Sequence, residues 1–263
     1  MTKIANMEVI ESPEFKVELS QNLDRVNKLL NGGIQGPEVR RFLWGFKLVD
    51  EGYPGWHEIH DSFRLEASIL SQIAQITRGT FRDGRERELY IGVRGGTYLF
   101  SDVHFGTRDQ VYPSGEQLFP KEIGDFALME VHTHPKLAHL NLPSPEDVAE
   151  FIVSQRHVPM MLVSAETGAW LLLKSREFFE EVPPTLVEDV IIKKIKDLDE
   201  EYEKKYRTPQ ELERFMASYL TKYKIFFFSN NTKYQIKTLS GENGKKPLVD
   251  IRNGHFWKVW GEV

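Results

Sequence analysis

The sequence predicts an α/β (α+β) fold, a mixed β-sheet flanked by helices. Three observations predict it. Residues 63–77 carry apolar side chains at helical spacing. After them come two strand-forming runs joined by a hairpin signal. A further apolar run, residues 126–130, leads into a helical stretch at 148–156 and then into two more strand-forming runs. Taken in that order, the elements complete one mixed sheet with helices packed on it.

The chain has 263 residues, 40% of them hydrophobic and 28% charged, which suffices for a core and argues against wholesale disorder. A net charge of −5 and a pI near 6.0 give no reason to expect nucleic-acid binding. There is no cysteine, so disulfides, a cysteine nucleophile and thiolate metal ligation are excluded. Any zinc must be held by His, Asp or Glu. Residues 1–15 are polar and do not read as a secretory signal. No apolar run reaches about eighteen residues, so no membrane span is expected and a cytoplasmic protein is the default.

The elements follow in order. Residues 1–19 read as an extended, polar arm. Ser20 is placed to cap a short helix carrying Leu23, Val26, Leu29 and Leu30, which stops at Gly32-Gly33. Residues 38–49 fit either helix or strand, and Gly52-Tyr53-Pro54-Gly55 is a loop. His57 and His60 have the spacing of half a metal site but no third ligand nearby, and they read as surface or loop residues. The helix over 63–77 carries Phe63, Ala67, Leu70, Ile73, Ala74 and Ile76 and is expected to end at Arg78-Gly79. Residues 88–93 read as a strand, Arg94-Gly95-Gly96-Thr97 as a hairpin turn, and 98–105 as the returning strand. Residues 108–121 form a polar loop before the strand at 126–130. Residues 159–164 and 169–174 are strands about a turn at Thr167-Gly168. Pro183-Pro184 breaks the chain. A long helix is then expected over 185–206, a second one capped by Thr208-Pro209-Gln210-Glu211 and running to about Tyr219, and short strands at 225–228, 234–236 and 256–260. The tail aromatics read as core.

The chemistry-bearing stretch is Val131-His132-Thr133-His134-Pro135, followed by Pro143-Ser144-Pro145-Glu146-Asp147. Histidines two apart on a strand point to the same face. Ser144-Pro145-Glu146-Asp147 also reads as an ordinary helix start, with Ser at the N-cap, Pro at the first position and acids in the first turn. Two imidazoles and one carboxylate make a zinc site with a fourth position open, the catalytic pattern.

These residues resemble the signature of the JAMM (MPN-plus, JAB-domain) zinc metalloproteases: a distant Glu, then His-x-His-Pro, then Pro-Ser-x-x-Asp. The resemblance covers roughly residues 61–178. It implies a JAMM/MPN-like (cytidine-deaminase-like) core over 61–180, with an N-terminal extension, 1–60, and a C-terminal extension, 181–263, helical and then β. It implies one zinc per chain on His132, His134 and Asp147. Asp147 follows His134 by 13 positions, a longer step than the family usually has, with the extra length in the loop 136–142. Glu146 and His139 are the alternatives for the third ligand. The distant Glu, the general base, falls on Glu88, 44 positions before His132, with Glu86 in reserve on the same strand face. Both also read as members of an exposed charged run, Arg85-Glu86-Arg87-Glu88. Ser144 matches the motif Ser, which resembles an oxyanion donor. Thr133 points to the opposite strand face and is assigned to packing.

The function so implied is hydrolysis after the C-terminal tail of a ubiquitin-like or sulfur-carrier-like protein, from a conjugate or from an extension. The substrate is a protein, with no nucleic acid and no membrane as partner. Two rivals stand beside it: a non-catalytic MPN-type scaffold, and a zinc amidase acting on small peptides.

Overall fold

The computed structural model describes residues 62–94, 96–107, 126–135, 142–153, 158–165, 168–181, 193, 209–230 and 255–259. Its elements are strand β1 (Ser62–Arg64), helix α1 (Ala67–Asp83), β2 (Arg87–Arg94), β3 (Thr97–Phe100), β4 (His104–Phe105), β5 (Phe126–Thr133), α2 (Pro145–Val153), β6 (Met160–Ser164), β7 (Ala169–Lys174), α3 (Arg176–Glu181), α4 (Pro209–Thr221), β8 (Ile225–Ser229) and β9 (His255–Lys258). These nine strands form one sheet in the order β1-β9-β8-β7-β6-β5-β2-β3, with β4 also paired to β2. The β5–β6 pair is parallel and its neighbours are antiparallel, so the sheet is mixed.

The parallel pair follows from its connection. Helix α2 lies between the end of β5 and the start of β6, as a crossover connection requires. Strands β6, β7 and β8 are buried along their whole length, as strands covered on both faces are. Register sorts the side chains, because cross-strand partners share a face. One face carries Arg87, Leu89, Ile91, Val131 and Thr133, and α1 packs there through Ile69, Ile73, Ile76, Thr77 and Thr80. The other carries Glu88, His132, Val163 and Trp170. Helix α4 meets that face where Glu213 accepts hydrogen bonds from Trp170 Nε1 and Ser229 Oγ, each at 2.8 Å. Helix α2 meets it through Phe151, whose ring lies under the buried Lys174 ammonium.

Several expectations are revised. Phe63 lies in strand β1, and the helix begins at Ala67. That helix does not stop at Gly79 but runs on to Asp83. The stop requires a left-handed residue, and Gly84 supplies it with φ 72° and an N–H donated to the Thr80 carbonyl. Gly79 serves a close approach instead: a Cβ there would stand 2.8 Å from Cζ of Arg87. The returning strand 98–105 is split into β3 and β4. Between them, Ser101 Oγ takes the N–H of Tyr90 and so interrupts the ladder. Helix α2 begins at Pro145, as the helix start Ser144-Pro145-Glu146-Asp147 suggests, and runs to Val153, with 154–156 of the expected span outside the described residues. Helix α3 was not expected. The tail aromatics Phe226, Phe227, Phe228 and Phe256 are core residues. His57, His60, His139, the strand at 234–236 and, apart from the helical Lys193, the long helix over 185–206 lie outside the described residues. Among the described residues no helix is long and apolar enough to cross a membrane.

Candidate metal centre

The C-terminal end of β5 delivers two imidazoles. His132 and His134 alternate with Thr133, so both point to the α2 face, their ring centroids 5.0 Å apart and nearly perpendicular. Because β2 runs antiparallel to β5, its first residues lie beside the last residues of β5. Glu88 pairs with His132 in register, and Glu86 stands one step further on. The loop after β5 then brings in the start of α2. There Ser144 is the N-cap: its Oγ accepts the N–H of Asp147 at 3.0 Å, and Asp147 Oδ2 accepts the N–H of Ser144 at 2.7 Å. This reciprocal capping box fixes the Asp147 carboxylate at the helix N-terminus.

The carboxylates divide the imidazole nitrogens. Asp147 Oδ1 lies 3.1 Å from His132 Nδ1, and Oδ2 lies 2.9 Å from His134 Nε2. Glu86 Oε2 lies 3.3 Å from His132 Nε2. Nδ1 of His134 is buried with no hydrogen-bond partner. Ligand atoms of Glu86, His132 and His134 all lie within 4.8 Å of one another, a group that could hold a metal ion. An unpartnered buried nitrogen and a donor set of imidazole and carboxylate fit a borderline cation such as zinc. These contacts also lie near the ligand–ligand edge of a tetrahedral zinc site, about 3.3 Å for bonds of about 2.0 Å.

Electrostatics follow from this packing. Burial works against the charged form of His132, but the Asp147 carboxylate and the hydrogen bonds the ring donates to Asp147 and Glu86 lift its pKa well above the ordinary histidine range. Burial likewise opposes ionisation of Asp147, but the two imidazoles outweigh it and hold its pKa well below the ordinary carboxylate range. Glu88 behaves in the opposite way. Burial raises its pKa, while the Tyr90 hydroxyl bond and His132 pull it back only in part. Tyr90 donates to Glu88 Oε1, and Oε2 of Glu88 is buried without a partner.

Every site residue expected from the sequence is therefore within this centre. His132, His134 and Asp147 are in contact, Ser144 holds Asp147, and Glu88 faces His132. Glu86, held in reserve from the sequence, is the upstream carboxylate that reaches an imidazole. Both glutamates are buried rather than part of a solvated charged run. Glu146 is exposed and remains outside the cluster. Three residues that sequence reasoning passed over also belong here. Tyr90 is two positions after Glu88, and Glu130 two before His132, so period-two alternation puts both on the site face. Glu130 is an acid in an otherwise apolar strand, its pKa pushed up by burial and then by Glu88 and Glu150. His104 pairs with Glu88 from β4.

These features define a class: an α/β chain with a buried His/carboxylate centre where a strand end meets a helix start. Comparison with known proteins adds no particular identity, since no family profile, no curated protein and no solved structure matches the chain.

Proposed function

We propose that this chain is a zinc-dependent peptidase or isopeptidase of the JAMM type, acting after the C-terminal tail of a ubiquitin-like or sulfur-carrier-like protein. The observation that supports it most is the meeting of both imidazoles of the His-x-His strand with carboxylates from β2 and α2. A buried carboxyl of raised pKa stands opposite His132. Zinc in such a site polarises a carbonyl and acidifies a water.

The chain's own groups do the rest. His132 and His134 hold the ion with Asp147, the one carboxylate that touches both imidazoles. Glu86 takes the remaining N–H of His132, as carboxylates beside ligating histidines do. Glu88 accepts the proton of the attacking water and returns it to the leaving amine. Its burial suits that work, because an acid–base group is most effective with a pKa near the working pH. Tyr90 holds one oxygen of Glu88 and leaves the other for the proton. Ser144 Oγ already accepts the Asp147 N–H, so its hydroxyl hydrogen is available to an oxyanion, a donation worth about 3 kcal/mol.

A second assignment has its own support. The compact Glu86–His132–His134 group and the unpartnered Nδ1 of His134 favour Glu86 as third ligand, with Asp147 orienting both rings. Zinc content of Asp147→Asn and Glu86→Gln separates the two, because only the ligand variant comes without metal. The function itself is tested on ubiquitin-like C-terminal fusions and small peptides. Cleavage of the fusions by wild type, lost in Glu88→Gln with zinc retained, is the expected result. Zinc-loaded wild type inert on both substrates would favour the scaffold, and cleavage of small peptides alone the amidase.

A further inference from the structure

The reverse face of the metal strand is tied to α1 by hydroxyl groups. Thr133, between the two histidines, is fully buried, and its hydroxyl lies 2.6 Å from that of Thr80. The same Thr133 hydroxyl accepts the N–H of Arg87 at 3.0 Å. One helical turn earlier on the same face, Thr77 donates to Ser164 Oγ at 3.0 Å. The carbonyl of Ser164 in turn accepts the N–H of His134 at 2.8 Å. Two threonines of α1 therefore reach the backbone on either side of the histidines, one through Thr133 and one through Ser164. Arg87 closes the first link. Its guanidinium donates to Thr80 Oγ1 and to the Asp83 carboxylate, and it lies over Gly79 where a Cβ would intrude.

Packing does not require these groups. The other buried side chains of this α1 face are isoleucines, and buried hydroxyls cost free energy unless paired. A valine at each position would fill the same space. What the hydroxyls add is direction, because they fix where the end of β5 stops and how it is rotated.

We propose that Thr77, Thr80 and Thr133 are positioning residues that aim His132 and His134 from behind the sheet. The inference rests on the imidazoles being the ion's ligands, as the functional reading has it. The hydroxyls touch neither substrate nor metal and act through the strand.

The test compares wild type with Thr80→Val/Thr133→Val and with Thr133→Ser. The double variant removes both partners of the Thr80–Thr133 bond but also the acceptor of the buried Arg87 N–H, so it should fold and melt below wild type. Two readouts a purely structural role would not move are followed: the ring 15N signals of His132 and His134 in metal-free protein, and zinc affinity by chelator competition. The expected result is displaced ring signals and a loss of affinity on the order of tenfold in the double variant, with Thr133→Ser at wild-type values. A folded double variant with wild-type ring signals and affinity would overturn the proposal. Thr77→Val, which removes the other link alone, gives the same reading should the double variant not fold. A wild type that binds no zinc defeats the functional reading, while the ring signals still decide whether the hydroxyls aim the histidines.

Discussion

At the scale of single residues, the centre is a set of charges that stabilise one another in a buried place. His132 has its pKa raised in the folded chain, so its contribution is complete below the unfolded value of about 6.5 and is lost as pH rises through the folded value. Asp147 has its pKa lowered, so its contribution is complete above about 3.9 and is lost as pH falls through its folded value. In metal-free protein the contribution of the His132–Asp147 pair should therefore be complete between about pH 4 and pH 6.5 and weaken on both sides. Urea unfolding against pH measures this, and Asp147→Asn should flatten the profile at both ends. A wild-type profile no steeper than that variant's would show that the pair does not form. Metal uptake has the opposite pH trend on the alkaline side, since it rises as His132 loses the proton that competes with the metal. The histidines were legible from strand alternation and Ser144 and Asp147 as a helix start, and the resemblance to the JAMM signature is what joined the two. The relation of Glu86 to Glu88 was not legible. Both share a strand face, and only the register of β2 on β5 shows which one reaches an imidazole and which one faces Tyr90.

At the scale of elements, strands were read more securely than helix ends. β6, β7 and β8 have continuous apolar runs bounded by turns, and β7 was expected at the span it occupies. Helix α1 shows what periodicity misses. The apolar pattern weakens after Ile76, yet the helix continues to Asp83, because its last turns bury Thr77 and Thr80 and are held by Arg87–Asp83. Alternation along β5 did put Thr133 on the reverse face, but not the hydroxyl bonds it makes there, which depend on α1 lying behind it. Helix α4 buries Leu212, Met216, Ala217, Tyr219 and Leu220 in the core, and one carboxylate adds polar ties to the sheet. Glu213 accepts from both Trp170 and Ser229, so Glu213→Ala leaves two buried donors unmatched and should cost about 2 kcal/mol in denaturant unfolding. A loss within about 0.5 kcal/mol would mean those donors find other partners.

At the scale of the molecule, one sheet runs across the whole described chain. β8 and β9, from the C-terminal part, continue it beyond β7, and β1 closes its far edge. That continuity was not legible, because the order of strands in a sheet is set by long-range pairing that no local pattern carries. It has a consequence for the region 61–180. Strand β7 is buried along its length, and removing β8 and α4 would leave its outer edge unpaired and uncover Trp170. A chain ended at residue 181 should be insoluble or lack a cooperative thermal transition, while the full chain melts cooperatively. A folded, soluble truncated chain would show that the C-terminal strands are accessory. The candidate metal centre sits at the β2–β5–α2 junction, towards the β3 edge of this sheet, where elements far apart in sequence fix each donor.

The central claim is that β5 and its neighbours assemble a zinc site. It is tested most directly by elemental analysis of zinc per chain in wild type and in His134→Ala, purified side by side. The account predicts about one zinc in wild type and essentially none in the variant. A folded wild type that takes up no zinc, even after the metal is added, would contradict it.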